Sequence, residues 1–337
     1  MSAEMSILVR VLLALVLMLV NGVVLIYMLR KVLAHLHLRV GPNRVGPWGV
    51  FQTSIDVLKL LTKEDFIPAA ADHWLFRLAP YMVFVPSFMA YAALVLGPRT
   101  AFSRLDTGLL YVFAVLAIVP MGVMMAGWAS NSKWSLIGGM RAAAQQISYE
   151  VPLLLSVLPI VMTAGSMSLT RIVQSQTGYA LGFIPRWNFF SPQLVGFALF
   201  LVAALAELNQ TPFDMSEAES ELISGFANEY SGMRFGLLFL SEFSNSFVIS
   251  ALGATLFFGG WLVPGVDPAS PVMVWLGPVA FIIKTYLGIF VLMWIRGTMP
   301  RIRIDQMLEL GWKALIPLSL VWLMITGFIL QLVRGVG

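Results

Sequence analysis

The 337-residue sequence contains no cysteine, only three histidines and few charged side chains, which make up 11% of the chain. Without cysteine there is no disulfide, no thiolate metal site and no cysteine-ligated iron–sulfur cluster. His35, His37 and His73 lie in or near a single loop, so we expect no haem or metal site inside the hydrophobic segments. The low charge excludes an ordinary soluble domain, in which about 25% of residues are charged.

Hydrophobic residues make up 59% of the chain and recur along its whole length. This composition predicts an all-α fold, with residues 1–337 forming a single membrane domain. No G-x-G-x-x-G motif follows a predicted strand, so the chain should not bind a nicotinamide dinucleotide itself. The N-terminal apolar run lacks a basic flank and is long enough to span, which favours a first membrane helix over a cleavable signal.

Eight segments are apolar over roughly the 20 residues that a membrane helix needs. They cover approximately residues 7–29, 78–97, 109–128, 147–165, 194–211, 240–262, 272–295 and 314–333. Most lysines and arginines lie in the loops that follow the odd-numbered spans, and basic loops stay cytoplasmic. We therefore predict that both termini are non-cytoplasmic and that the acid-rich loop, about 212–237, is cytoplasmic.

The loop after the first span contains an amphipathic pattern at about residues 48–63. Phe51, Ile55 and Leu58 repeat at helical spacing, whereas Asp56 and Lys59 fall largely on the opposite side. A segment this short and this charged does not cross a membrane. We predict a helix that lies at the interface or forms the wall of a cavity opening onto the membrane.

Acidic residues are concentrated at and after the end of the fifth predicted span. Six of the chain's 17 acidic residues lie here: Glu207, Asp214, Glu217, Glu219, Glu221 and Glu229. Helix capping explains part of this excess, because Thr211 before Pro212, and Ser216 with Glu219, have the pattern of helix N-termini, where acids complement the helix dipole. Capping does not explain Glu207, which lies inside the span.

Three further ionisable residues lie at or within predicted spans: Glu150 in the fourth, Glu242 in the sixth and Lys284 in the seventh. Charged groups in a membrane usually face the bundle interior and mark ion or proton pathways. Carboxyl groups crowded in a low-dielectric interior cannot all ionise, so they hold and pass protons as a coupled set. We predict a proton relay; the alternatives are a cation site and a structural salt bridge of Lys284.

Four long stretches of the sequence point to a family. They read RVGPNRVGPWGVFQTSIDVLKLLTKEDFIP, GWASNSKWSLIGGMRAAAQQISYEVPL, AELNQTPFDMSEAESELISGFANEYSGMRFGLLFLSEF and MWIRGTMPRIRIDQMLELGWKALIPLSL. In residues and order they resemble the H subunit of NADH–quinone oxidoreductase, the subunit 1 family of respiratory complex I, over nearly the whole chain. The resemblance implies eight membrane helices in the cell inner membrane, joining a redox arm to a proton-pumping arm. It also implies that quinone is the substrate, that this chain has no redox centre or metal, and that iron–sulfur clusters and FMN reside on partner subunits.

The resemblance assigns roles to particular residues, none of them in covalent catalysis. Those matching the proton path are Tyr149, Glu150, Glu207, Asp214, Glu217, Glu219, Glu221, Glu229, Glu242 and Lys284. Those matching the quinone chamber and its access are Arg30, Arg39, Phe226 and Arg296, with Arg141 as a further basic partner. One position departs from the family, which usually has an acid immediately before Arg30, where this chain has Leu29. Leu29 can neither neutralise Arg30 nor carry a proton.

Three other functions fit parts of the pattern. A homologous membrane subunit of an energy-converting hydrogenase, or of a dehydrogenase with another electron donor, would keep the acids without needing a quinone chamber. A stand-alone secondary transporter would predict internal symmetry, which the sequence does not show. A membrane scaffold would carry these charges without using them.

Overall fold

In a computed structural model, which describes residues 3–180, 184–216, 219–268 and 270–335, the chain is built almost entirely of helices. The helices are α1 (Ala3–Leu36), α2 (Gln52–Thr62), α3 (His73–Tyr91), α4 (Gly108–Leu116), α5 (Val119–Ala129), α6 (Lys133–Ala164), α7 (Leu169–Ser175), α8 (Leu194–Glu207), α9 (Glu219–Leu222), α10 (Gly232–Phe257), α11 (Met273–Thr298), α12 (Ile304–Glu309) and α13 (Ile316–Gly335). Short 3-10 turns cover Pro47–Gly49, Asn188–Phe190 and Gly225–Ala227, and a π-helical turn, Leu310–Leu315, joins α12 to α13. The pairing of β1 (Tyr179–Ala180) with β2 (Ile184–Pro185) is two residues long, so the predicted all-α class is confirmed.

Six helical stretches in the described residues are long and apolar enough to cross a membrane. They are Ile7–Leu36, Gly108–Ala129, Lys133–Ala164, Gly232–Phe257, Met273–Thr298 and Ile304–Leu332. The other two predicted spans, 78–97 and 194–211, coincide with α3 and α8. The mean hydropathy of α3 is too low for it to count among the six, because it contains His73, Arg77 and two prolines. Helix α8 is too short, at 14 residues.

Several helix boundaries differ from the predicted spans for local reasons. The span predicted at 109–128 is divided into α4 and α5 just before Pro120, because proline has no N–H and its ring clashes with the preceding turn. The fourth span begins much earlier than predicted, at Lys133, so Glu150 lies in the middle of α6 and not at its start.

The helices pack around α6 and α10. Helix α6 contacts α5, α8 and α13, whereas α10 contacts α3, α11 and α1. In the most apolar window of each helix, 61% of α10 is buried but only 17% of the C-terminal stretch Ile304–Leu332. Apolar side chains that face outward in such numbers fit a surface surrounded by lipid.

The structure agrees with the helix predicted in the loop after the first span but not with the helix start predicted at Thr211. A helix is present at Gln52–Thr62, within the predicted amphipathic segment. Most of its large apolar residues are exposed, with Leu58 at 60% and Leu61 at 57%. The capping explanation for the acids is wrong at Thr211, because residues 211–216 form turns and no helix begins at Pro212.

Candidate functional site: an acid-lined polar cavity

A cavity of about 280 Å³ lies beneath the turn at residues 223–227. Its wall includes residues from α3, α5, α6, α10 and α11, together with the end of α8. The polar residues of its lining are Gln146, Glu207, Asn209, Ser224, Glu242, Asn245 and Arg296. We call this space the polar cavity.

The end of α8 determines where Glu207 lies. Asn209 lies two residues after Glu207, the last residue of α8, and has a φ of +50°, a left-handed conformation that asparagine tolerates better than most residues and that stops the helix from continuing. The amide of Gln145 fixes the chain that follows, since its Nε2 donates to the carbonyl of Ala206 at 2.7 Å and to that of Phe213 at 2.8 Å. The acid is thereby held at the junction of α8 with the acidic loop.

The turn over the polar cavity is anchored by close packing. A Cβ at Gly138 of α6 would lie only 2.7 Å from the Cα of Gly225, so the glycine lets the turn lie directly on the helix. The ring of Tyr230 stacks on Phe76 with centroids 4.1 Å apart. Burial raises the pKa of the Tyr230 hydroxyl, which therefore stays protonated in the physiological range. The anchored turn places Phe226 in the lining of the cavity.

Four residues that line the polar cavity have a buried oxygen without a hydrogen-bond partner among the described residues. They are Gln146 at Oε1, Glu207 at Oε2, Asn209 at Oδ1 and Asn245 at Oδ1. Most buried polar atoms in native proteins are paired with protein or ordered water. Several unpaired acceptors around one space therefore indicate a site whose partners are waters, exchangeable protons or a bound molecule.

The other acids near the polar cavity interact with arginines or with one another. Glu242 lies 3.5 Å from the guanidinium of Arg296, and the Asp214 carboxylate lies 3.2 Å from Arg301. The charge of Asp214 also acts on Glu242, and that of Glu150 acts on Glu207. Glu242 and Glu207 thus each interact electrostatically with a second acid.

The remaining acids of the loop lie farther out. Glu221 forms an ion pair of 2.8 Å with Arg141, in which both side chains are partly exposed. Glu229 is half-buried and accepts a hydrogen bond of 3.3 Å from Asn228. Glu217 lies outside the described residues, and the side chain of Glu219 is not among those described.

Two residues predicted for the proton path make structural contacts. The Tyr149 hydroxyl is buried and donates to the carbonyl of Met307 at 2.7 Å, which ties α6 to α12. The Lys284 ammonium donates to the carbonyls of Phe258, Gly260 and Leu262 at 2.7 to 2.9 Å, beyond the C-terminal end of α10. It also lies 4.2 Å from the centre of the Trp187 ring. Within the described residues, Lys284 forms no ion pair with a carboxylate.

The arginines predicted near the quinone access lie apart from the polar cavity. Arg30 forms an ion pair with Asp56, so it is the contact between α1 and α2 that neutralises this arginine in the absence of an acid at position 29. The hydroxyl of Tyr27 donates to the carbonyl of Trp48 at 2.9 Å and reinforces the same contact. Arg39 is exposed in the loop after α1.

Sequence reasoning missed the amide side chains. A sequence signal for them exists, because isolated amides interrupt apolar stretches at QQ, LNQ and FSNSF. These amides are Gln145, Gln146, Asn209 and Asn245. The described residues contain no group of three or more His, Cys, Asp or Glu placed to hold a metal ion.

Comparison with known proteins identifies the family. Residues 9–327 match the family model described as NADH dehydrogenase. This chain belongs to that family. It is 48% identical over 312 residues to the H subunit of a NADH-quinone oxidoreductase of Brevibacillus brevis, covering 92% of this chain and 89% of that protein.

Other members of the family are similar over the same extent. One NADH-quinone oxidoreductase H subunit of Geobacter metallireducens is 46% identical over 317 residues, or 91% of each chain. The corresponding H subunit of Dehalococcoides mccartyi strain CBDB1 is 45% identical over 309 residues, which cover 92% of this chain and 82% of that protein. The resemblance found in the four sequence motifs is therefore confirmed.

Proposed function

We propose that this chain is the H subunit, in the membrane arm, of a proton-translocating NADH:quinone oxidoreductase. In this proposal, the polar cavity forms much of the quinone chamber, and its acids begin the proton path. The observation that carries the proposal is that Glu207 and Glu242 line the same space as Phe226 and Arg296. Family membership and similarity to the H subunits of such enzymes support the assignment to this complex.

The coupling starts from the proton demand of quinone reduction. A quinone that gains electrons becomes more basic and takes up protons, and this changes the electrostatic field in the polar cavity. Glu207 responds because it is 9% exposed and its Oε2 has no partner among the described residues. Its protonation state is coupled to that of Glu150, which carries the change along α6 towards neighbouring membrane subunits.

Asp214 and Glu242 extend this relay on the side of the acidic loop. Each carboxyl group has an arginine partner, so a change in the field of the cavity shifts the balance between its charged and protonated forms. Glu221 and Glu229 lie at the outer end of the relay, where bulk water can take the place of either carboxyl group. Lys284 is not part of it, because its contacts at the end of α10 favour a structural role.

The membrane placement follows from the helices. We propose eight spans, with α3 and α8 crossing alongside the six longer apolar stretches, in the cell inner membrane. Both termini are then non-cytoplasmic and the acidic loop is cytoplasmic, in keeping with the basic loops. The exposed apolar residues of α2 support an amphipathic helix at the interface, where Arg30 and Arg39 border the quinone access beside α1.

Partner subunits complete the redox chemistry. This chain contains no cysteine for an iron–sulfur cluster. Iron–sulfur clusters and FMN on hydrophilic partners would deliver electrons from NADH to the quinone at the boundary with this subunit. The contribution of this chain is to enclose the quinone and to hold protons at Glu207 and Glu242.

The substitution Glu207→Gln in the assembled complex tests the function. Glutamine keeps the shape and removes the exchangeable proton, so proton translocation with NADH and quinone should fall by more than about tenfold. Glu221→Gln is the matched control, because Glu221 is exposed and paired with Arg141. Unchanged quinone reduction together with unchanged proton translocation in Glu207→Gln would refute the role.

A further inference from the structure

A second pocket, of about 280 Å³, lies at the end of α8 that is farther from the acidic loop. The end of α6, helix α7, the loop before α8 and helix α13 form its wall, at residues 163, 175, within 186–193 and within 322–330. Arg186 is the single charged residue in the described part of this lining. We call the space the arginine pocket.

Arg186 brings an uncompensated positive charge to the arginine pocket. Its side chain is exposed and forms no ion pair with any residue that the structure describes. Arg296 and Arg301 near the polar cavity, by contrast, each lie within 3.5 Å of a carboxylate. A guanidinium presents several N–H donors in one plane, and these match the oxygens of a phosphate group. The arginine pocket therefore favours an anionic occupant.

A buried amide adds a second donor to the arginine pocket. Gln193 is only 6% exposed, and its Oε1 accepts a hydrogen bond of 3.3 Å from Nε1 of Trp322. An indole N–H can only donate, so this contact holds the amide oxygen towards Trp322 and leaves Nε2 free to face the pocket that Gln193 lines. Within the described residues Nε2 has no acceptor. A buried donor without a partner is costly, so we expect the occupant to supply an acceptor.

The other polar groups of the arginine pocket are neutral acceptors. The hydroxyls of Ser175 and Ser191 already donate to backbone carbonyls, at 2.8 and 2.7 Å, and each keeps a lone pair on its oxygen. Nδ2 of Asn188 donates to the carbonyl of Leu256 at 2.6 Å, which leaves its Oδ1 as an acceptor. A phosphodiester that carries a glycerol head matches both sets, because its phosphate accepts and its hydroxyls donate. A choline head adds a cation and has no N–H or O–H to donate.

The apolar side of the arginine pocket belongs to the exposed face of α13. Ile329, which is 44% exposed, lines the pocket with Leu330, and Ile325 and Phe328 on the same helix are 43% and 64% exposed. A free phosphate ion would leave these side chains uncovered, whereas the acyl chain of a phospholipid would cover them. An apolar cavity of about 150 Å³ takes up benzene. The larger arginine pocket therefore has room for a phosphodiester and part of its head.

We propose that the arginine pocket binds the head group of an anionic glycerophospholipid, phosphatidylglycerol, with an acyl chain along α13. Arg186 and Nε2 of Gln193 hold the phosphate, and the hydroxyl and amide oxygens accept from the glycerol head. The acyl chain adds affinity through burial against the exposed residues of α13. This inference uses the membrane placement of the chain but neither the quinone chamber nor the proton path.

The first experiment labels the lipid in the assembled complex, reconstituted in phosphatidylcholine vesicles that contain a small fraction of phosphatidylglycerol with a diazirine in its acyl chain. After photolysis, mass spectrometry should find labels within 321–332 of α13 and within 194–198 of α8. Arg186→Gln should lower this labelling at least about tenfold, because a charge-assisted hydrogen bond is lost. Arg171→Gln is the matched control and should not change it, because Arg171 is also exposed but does not line the pocket. Equal labelling of Arg186→Gln and wild type would overturn the proposal.

The second experiment uses Gln193→Glu, which keeps an acceptor for Trp322 and replaces the donor Nε2 with an anionic oxygen. Labelling should again fall at least about tenfold, whereas thermal unfolding of the complex without phosphatidylglycerol should be unchanged. Unaltered labelling would overturn the proposal.

Two competition measurements identify the source of the phosphate. Unlabelled phosphatidylglycerol should remove the labels, and inorganic phosphate in the buffer should not. Loss of the labels with inorganic phosphate alone, or equal labelling by a diazirine phosphatidylcholine, would overturn the proposal. Labelling needs no turnover, so its outcome is independent of whether Glu207→Gln translocates protons.

Discussion

Two groups of polar residues along α10, one beyond its C-terminal end and one at the polar cavity, differ in how completely they are hydrogen-bonded. Near its C-terminal end, Gln176 uses its whole amide: Nε2 donates to the carbonyls of Ile172 and Thr255, and Oε1 accepts from the backbone N–H groups of Asn188 and Gly259. Lys284 in the same region is equally saturated. At the polar cavity, by contrast, Glu207 and Asn245 each have a buried oxygen without a partner among the described residues.

This difference separates structural polarity from functional polarity. A buried group with all its hydrogen bonds made holds the backbone in place and has nothing left to offer a guest. A buried group with an open acceptor costs stability unless water, a proton or a ligand completes it. Both kinds of residue are isolated polar residues within apolar stretches of the sequence. Their hydrogen-bond contacts therefore distinguish the two kinds, whereas their residue types do not.

The largest effect on stability is expected for Gln176→Leu. The substitution leaves the part-buried N–H group of Asn188 and the buried N–H group of Gly259 without an acceptor, which should destabilise the protein by about 3 kcal/mol. Thermal unfolding of the purified complex measures this loss. Gln146→Leu is the matched control and should cost less than about 1 kcal/mol, because Oε1 of Gln146 is already unpaired. Equal losses for the two glutamines would remove the contrast between the regions.

The next largest effect is expected for Lys284→Met. It removes three hydrogen bonds to carbonyls beyond the end of α10 and should lower stability by about 2 kcal/mol. In the fraction of the variant complex that stays folded, the number of protons translocated per electron should be unchanged, because Lys284 lies apart from the acids. Normal stability combined with lost translocation would instead return Lys284 to the proton path. Lys313→Met, at an exposed lysine paired with Glu309, serves as the control.

A smaller change, in coupling rather than stability, is expected for Asn245→Leu. The substitution removes an open acceptor from the polar cavity without breaking a protein hydrogen bond made by its Oδ1, so thermal unfolding should be little affected. Proton translocation should fall by about three- to tenfold, since the cavity loses a buried acceptor available to water beside Glu242. Asn228→Leu in the outer loop should leave translocation as it is. A loss of stability without a loss of coupling would contradict this assignment.

The smallest effect is expected for Glu221→Gln. An ion pair with exposed side chains contributes little, so its loss should change stability by less than about 0.5 kcal/mol. Translocation should stay within about twofold of wild type, because bulk water can replace an exposed carboxyl group as a proton source. Stopped-flow measurement of proton uptake compares it with Glu207→Gln. A defect as large as that of Glu207→Gln would mean that the exposure of an acid does not determine how much it contributes to proton translocation.

Hydrophobic runs predicted most of the fold because the long helices coincide with them. They misplaced boundaries where one residue decides the local backbone: Pro120 divides the third span, and Asn209 ends α8 by adopting a left-handed conformation. The weakly apolar α3 and the short α8 fall below a length and composition criterion that treats each helix alone. Their burial against neighbouring helices is not visible in the sequence.

The site was predictable as a set of acids but not as a geometry. The predicted intramembrane position of Glu207 and the four motifs indicated the region, and Phe226 and Arg296 line the same cavity as Glu207. The pairing of Asp214 with Arg301 joins residues 87 positions apart, and spacing along the chain carries no information about such a contact. The three hydrogen bonds of Lys284 to backbone carbonyls could not be predicted either. The sequence shows a lysine inside a predicted span but not whether its partner is a carboxylate or the end of a helix.

Redox-induced infrared difference spectroscopy of the assembled complex gives the most direct test of the account. If Glu207 changes its protonation when quinone is reduced, the difference spectrum contains a carboxylic acid C=O band that shifts in D2O. We expect this band to be absent in Glu207→Gln and present in Glu221→Gln. A band that persists unchanged in Glu207→Gln would contradict the claim that this buried carboxyl group responds to the neighbouring redox reaction.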